Sequence, residues 1–143
     1  MKIKIISVGK TKNKHIKLLC ADYKDRIKHY TKFEEVVIKS GVNQTENDKI
    51  AAHINNNAGL NYVLSEDGEN FNSKDFAKLL SNANNQISFI IGGPEGIDER
   101  TKANCDKVIA LSLMTFTHEM AHLFLLEQIY RGFKITLNKK DHK

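Results

Sequence analysis

Five residues in the last third of the chain read His118-Glu119-Met120-Ala121-His122, the H-E-x-x-H spacing of a zinc-hydrolase helix. Two imidazoles four apart share one helical face and can bind Zn²⁺, while the glutamate activates a water. Glu127 offers another carboxylate, but five residues past His122 it points about 140° away round the same helix. It therefore does not converge on a metal held by the two histidines. The longer H-x-x-G-x-x-H extension is absent as well, because Leu125 and Gln128 stand at its Gly and His positions.

A second chemically suggestive stretch is Gly92-Gly93-Pro94-Glu95-Gly96, which follows the apolar run Ile87–Ile91. Gly92, Gly93 and Gly96 let a ligand approach bare backbone, and Pro94 stiffens the turn between them. The spacing is not the G-x-G-x-x-G dinucleotide fingerprint. Gly9-Lys10-Thr11 imitates the end of a P-loop, but Lys4 occupies the position that needs glycine, which argues against nucleotide hydrolysis there.

These residues must be positioned by surrounding elements. Lys2–Gly9 alternates and then turns, as a strand with a glycine stop. Residues 14–30 carry Ile16, Leu19, Cys20, Tyr23 and Ile27 at helical spacing, which predicts a helix with those residues in the core. Phe33–Lys39 reads as a second strand and Gln44–Asn57 as a weak, polar helix. Tyr62-Val63-Leu64 reads as a brief third strand ending in Ser65-Glu66-Asp67-Gly68. Ser73 is the expected N-cap of a helix running to Asn82, with Phe76, Leu79 and Leu80 inward. Ile87–Ile91 and Val108–Leu113 read as strands buried on both faces, separated by a short helix over Asp98–Lys107. Thr115 or Thr117 can cap a last helix that sends Met120, Phe124, Leu125, Ile129 and Phe133 into a core. The chain finishes with Ile135-Thr136-Leu137 and a polar tail. Strands alternating with helices predict an α/β fold: a mostly parallel sheet with helices on both faces, ligands binding beyond the carboxyl ends of its strands.

The chain's 143 residues fit a single domain, 1–143. No linker, internal repeat, signal peptide or membrane-length apolar run is visible, and two cysteines without a motif, Cys20 and Cys105, fit a reducing cytoplasm. Charge is segregated. Residues 1–32 hold ten Lys/Arg against two acids, residues 33–127 seven against fourteen, and residues 128–143 five against one. Basic ends flanking an acidic middle fit either a phosphate-rich partner touched by both ends or lysines that merely solvate a helix. Tyr23 and Tyr30 are too isolated to read as base-stacking platforms, and His15, His29 and His53 read as exposed or capping residues.

Leu64 before an acidic-Gly turn, then Ile-Gly-Gly-Pro-Glu-Gly, Leu-Ser-x-x-Thr-x-x-His and Glu-Gln-Ile-Tyr-Arg-x-x-x-Ile, taken in that order, resemble the small SPOUT methyltransferases. The resemblance is to the ribosomal RNA large subunit methyltransferase H family and covers essentially the whole chain. It implies an S-adenosyl-L-methionine-dependent enzyme that methylates N3 of a pseudouridine in 23S rRNA of the assembled ribosome. It also implies a homodimer, a C-terminal trefoil knot, and neither membrane nor metal as partner. Generic topology rules argue against a knot, so the knot comes from the resemblance alone. Carried over by position, the cofactor site would comprise Leu64, Gly93, Ser112, Leu113, Met114, Thr115, Phe116 and Thr117, with Gly92 and Gly96 shaping the loop. Glu127, Arg131 and His142 would be catalytic, His142 as candidate base, and Arg131 and Lys143 would meet RNA. The residue-level alternative for Glu127 and Arg131 is an i,i+4 helix-surface pair.

Relatives usually carry proline at Thr117, arginine at His122 and tyrosine at Asp141. These departures predict a looser cofactor loop and a weaker grip on RNA. The H-E-x-x-H hydrolase and a non-catalytic ribosome- or RNA-binding protein are the two alternative functions.

Overall fold

The apolar runs assemble into one sheet. A computed structural model describes residues 1–83 and 85–141, with side-chain surroundings through 138. It contains β1 (Lys2–Val8), α1 (Lys14–Lys28), β2 (Lys32–Ile38), α2 (Asn43–Asn56), β3 (Leu60–Asn70), α3 (Ser73–Asn82), β4 (Gln86–Ile91), α4 (Glu99–Ala103), β5 (Lys107–Ala110) and α5 (His118–Asp141). All five strands are parallel, in the order β2-β1-β4-β3-β5. No helix among the described residues is long and apolar enough to cross a membrane.

Strand alternation sorts the core into two layers. On one face Ile3, Ile5, Ile87, Phe89 and Ile91 pack with Cys20 and Ile27 of α1, Phe76 and Leu80 of α3, and Leu125, Leu126 and Ile129 of α5. On the other, Ile6, Val8, Val63 and Ile90 pack with Ile50 and Ile54 of α2 and with Ile97 beside α4. Ile3, Ile5, Ile90, Leu125 and Ile129 are fully buried, each contributing about 1.5–3 kcal/mol. Gly132 lets α5 close on α3, since a Cβ there would stand 2.7 Å from Leu80 Cδ1. Tyr23 and Tyr130 hold the Arg26 guanidinium between α1 and α5, at 5.5 and 5.4 Å from their ring centres.

Several boundaries differ from expectation. β3 runs to Asn70, because after Ser65–Gly68 the chain pairs with β5 a second time: Ile109 stands opposite both Leu64 and Glu69. Gly68 crosses so close that a Cβ would lie 2.7 Å from backbone atoms of Val108 and Ile109. β5 stops at Ala110, and Leu111–Leu113 leave the sheet, where Ser112 Oγ accepts the Met114 N–H at 3.0 Å. The cap of α3 is Asn72, whose side chain accepts the Asp75 N–H at 2.8 Å; Ser73 Oγ donates to Gln128 instead. Leu19 is 48 % exposed because Cys20 and Ile27 take the buried stripe of α1. Ile135–Leu137 prolong α5.

Candidate active site

The carboxyl ends of β1, β2, β4 and β5, with the Leu64–Asp67 stretch midway along β3, surround one cleft of about 1330 Å³. Val8 and Gly9 reach it from β1, Ile38 and Lys39 from β2, Leu64–Asp67 from β3, Ile91–Ile97 from β4, and Leu111, Ser112 and Met114–Thr117 beyond β5. Of the residues expected around the cofactor, Leu64, Gly92, Gly93, Gly96, Ser112, Met114, Thr115, Phe116 and Thr117 line this cleft. Leu113 does not, and is 81 % exposed.

The glycine loop is held by α2, the helix that looks weak and polar in sequence. Gly93 to Gly96 is a β-turn, Gly96 N–H donating to Gly93 O at 2.9 Å, with Pro94 at its second position. Gly96 has φ +77°, a conformation that favours glycine. Asn43 Nδ2 donates to Gly96 O at 3.2 Å, and Asn47 Oδ1 accepts the Asp98 N–H at 3.0 Å. Buried Glu46 accepts the Gly41 N–H at 2.9 Å through one oxygen. Its other oxygen stands where a Gly93 side chain would begin, 2.7 Å from an added Cβ. Glu46 and Asn47 are thus loop supports that sequence reasoning missed. Their only signal was polarity inside a helix that needs one buried face.

The two loops flanking β5 are joined where Thr115 Oγ1 donates to Glu66 Oε2. Thr117 Oγ1 accepts the Met120 N–H at 3.3 Å and its carbonyl accepts the Ala121 N–H at 2.9 Å. Threonine therefore caps α5 and ties the loop to it. Among the described residues, the backbone amides and carbonyls of 112–116 find no partner except at Met114, and Ser112, Met114, Thr115 and Phe116 border the cleft, where unpaired backbone groups are available to a ligand.

The H-E-x-x-H residues have other work. Glu119 Oε1 accepts the backbone N–H groups of Lys12 and Asn13 at 2.9 and 3.0 Å, fixing the β1–α1 loop on the start of α5. His122 is 3 % exposed and its Nε2 lies 2.9 Å from Glu35 Oε1 of β2, off the N–H direction, so the contact is electrostatic rather than a linear hydrogen bond. Lys24 pairs with the other Glu35 oxygen. Burial pushes the Glu35 carboxyl up, but His122 and Lys24 outweigh it and leave its pKa below the ordinary value. Position 122 is therefore internal, and a weaker RNA grip does not follow from losing a cation there. His118 lines the cleft with its Nε2 buried and unbonded among the described residues. Burial, then the charge of His122, lower its pKa and favour neutral imidazole. Among the described residues, no three His, Cys, Asp or Glu side chains converge as a metal-ligand set.

Arg131 Nε and Nη2 each donate to a Glu127 oxygen at 3.1 Å, the bidentate i,i+4 pair. Glu127 borders a second pocket of about 450 Å³, walled by Phe71, Phe76, Phe116 and Phe124, that meets the main cleft at Leu111 and Phe116. Arg131 is exposed and lines neither. His142 and Lys143 lie outside the described residues. Lys10, Lys12 and Lys39 line the cleft without having been singled out as a site; the basic segment 1–32 signalled the first two, and nothing in the sequence pointed to Lys39.

A family model described as "Predicted SPOUT methyltransferase" matches residues 1–142. The proteins named ribosomal RNA large subunit methyltransferase H from Coprothermobacter proteolyticus and Thermosipho melanesiensis are 41 % and 38 % identical. The first comparison covers 100 % of both chains and the second 99 % of both. A solved structure, a probable methylase family protein from Haemophilus influenzae, superposes with a TM-score of 0.63 over 96 % of this chain and 69 % of its own, at 12 % identity. That likeness speaks for the fold, whereas the full-length matches establish descent: the chain belongs to the SPOUT methyltransferase family, with the ribosomal RNA large subunit methyltransferase H proteins among its relatives.

Proposed function

We propose that this protein is an S-adenosyl-L-methionine-dependent methyltransferase that methylates N3 of a pseudouridine in 23S rRNA of the assembled ribosome. The observation that carries this reading is the meeting of the 64–67, 91–97 and 111–117 loops around one cleft at the strand ends. Family membership over the whole chain and relatives named for ribosomal RNA support the substrate.

The residues present fit the cofactor. Unbonded backbone groups of 112–116 suit adenine and ribose edges, Gly96 leaves open space beside the loop opposite, and Glu66, Asp67 and Glu95 suit a cationic ligand. When bound, S-adenosylmethionine supplies an activated methyl group, so the protein's task is alignment. The target imide is nucleophilic only after losing its proton. In this reading His142 accepts that proton, while Arg131 and Lys143 hold the RNA backbone or the developing anion. Arg131 spends one N–H from Nε and one from Nη2 on Glu127, leaving three for RNA. Glu127 orients that guanidinium.

A second copy supplies these groups. α5 begins at the cleft with His118 and is 24 residues long, so Asp141 lies about 35 Å along the axis from the site. A tail starting there serves the partner's cleft in a homodimer. The Gly68 crossing against β5 is compatible with the family's trefoil knot. Acting on ribosomes, the enzyme would work in the cytoplasm.

The test is transfer of labelled methyl from S-adenosylmethionine to ribosomes lacking the modification, using EDTA-treated protein, with nucleoside analysis of the 23S rRNA. Label at N3 of a pseudouridine is expected. Cofactor binding without transfer would leave an RNA-binding protein, and neither binding nor transfer would overturn the assignment.

A further inference from the structure

The cleft carries opposite charge on its two lips. On the β3–β4 side stand Glu66, Asp67 and Glu95, and the one lysine there, Lys102, lies 3.5 Å from Asp67 and 3.4 Å from Glu99. On the β1–β2 side stand Lys10, Lys12 and Lys39, all exposed. Exposed Lys14 and Lys17 continue from them along the first turn of α1. None of these five lysines has a carboxylate within ion-pair distance among the described residues. Elsewhere Lys2 pairs with Glu34, Lys24 with Glu35, Arg26 with Asp22 and Lys107 with Glu69, while Lys28, Lys49, Lys74 and Lys78 are also without an ion pair among the described residues but do not border the cleft. Glu119, the acid nearest the basic lip, spends one oxygen on the backbone amides of Lys12 and Asn13. That bond also fixes the loop carrying the lysines, so the lip is pre-positioned.

Uncompensated lysines on a fixed rim fit a partner that brings its own regularly spaced negative charge. We propose that the phosphate backbone of the RNA substrate crosses the β1–β2 lip, held by Lys10, Lys12 and Lys39 and extended by Lys14 and Lys17. The acidic lip repels phosphate and leaves the β3–β5 half to the cofactor. The inference rests on the rRNA-methyltransferase reading and assigns the direction from which RNA enters.

The experiment compares the wild type with K10Q/K12Q/K39Q and with K49Q/K78Q, which removes exposed lysines of α2 and α3 outside the cleft. Affinity for large ribosomal subunits lacking the modification is measured against KCl at fixed magnesium, with S-adenosylmethionine affinity measured in parallel. Each phosphate-contacting lysine adds about 0.7–0.9 to the log–log salt slope. The triple variant should therefore lose about 2.1–2.7 from the slope, making its affinity loss between about 50 and 200 mM salt roughly 20- to 40-fold smaller than the wild type's. Cofactor affinity and the α2/α3 variant's slope should not change. An unchanged slope in the triple variant, an equal change in K49Q/K78Q, or a parallel loss of cofactor binding overturns the proposal while wild-type transfer stands. A wild type that neither binds nor methylates the subunits overturns the rRNA reading itself, and this proposal with it.

Discussion

Replacing Glu35 by Gln tests whether α5 is tied to β2 by charge. Glu35 faces His122 at 2.9 Å and Lys24 on its other oxygen, with the His122 side chain only 4 % exposed. The amide keeps the shape and removes the charge, leaving a buried imidazole and a partly buried ammonium without an anion. Breaking a buried pair from one side costs about 3–5 kcal/mol, whereas a solvent-exposed pair is worth about 0–1 kcal/mol. Glu35 is 21 % exposed and His122 only 4 %, so E35Q falls between these limits and should cost about 2–3 kcal/mol. At about 3 °C per kcal/mol for a chain of this size, Tm should fall by roughly 6–9 °C. The loss should also be coupled: E35Q combined with H122Q should cost at least about 1 kcal/mol less than the sum of the single variants.

The pH dependence has a definite sign. The fold holds the Glu35 pKa below its ordinary 4.5, so the unfolded chain binds this proton more readily. The stabilisation is complete above about pH 4.5 and is lost as pH falls through the folded value. Thermal melts of wild type and E35Q near pH 7 should differ by the full amount and converge as pH is lowered below 4.5. A shift under about 2 °C near pH 7, additive single variants, or a gap that widens in acid would refute the reasoning.

Two further substitutions probe the crossing and the loop anchor. Gly68→Ala places a Cβ 2.7 Å from the β5 backbone, which cannot swing aside as a side chain would; a loss of about 3 kcal/mol or more is expected in thermal melts. Gly41→Ala, with nothing within 4 Å, should stay within about 0.5 kcal/mol. Glu119→Ala removes the acceptor for two backbone amides and should cost about 1–2 kcal/mol, and Glu119→Gln, which keeps an oxygen there, about half as much. Equal stability of all three chains at position 119 would show that the loop is not anchored this way.

The sheet was readable because its strands are simple. Ile87–Ile91 is apolar almost throughout, and the structure buries Ile87, Phe89 and Ile91 on one face and Ile90 on the other. Leu111–Leu113 has the same composition as a strand, yet leaves the sheet once Ile109 and Ala110 have taken the second pairing with Glu69 and Asn70. Residue type does not encode that non-local pairing. The support of the glycine loop was hidden for a related reason. Glu46 and Asn47 read as solvent-facing because acids and amides usually are; they are buried here because Asn47 bonds the Asp98 N–H some fifty residues away and Glu46 packs against Gly93 while accepting the Gly41 N–H.

The motif that most invited a chemical reading explains instead why the two lips of the cleft keep their spacing. From one turn of α5, Glu119 reaches the basic β1–α1 loop, His122 reaches β2, and Thr117 closes the loop beyond β5. The glycine loop is held independently, by Asn43 and Asn47 of α2. Loosening the start of α5 should therefore move the lysine lip relative to the glycine loop without dismantling the latter. In a cleft whose two lips are charged oppositely, that relative position sets how a polyanion lies against a cationic cofactor. Glu119 and His122 stand at positions i and i+3, which leave a helix on one face. Here that face looks toward β2 and the β1–α1 loop rather than toward a metal-ligand set.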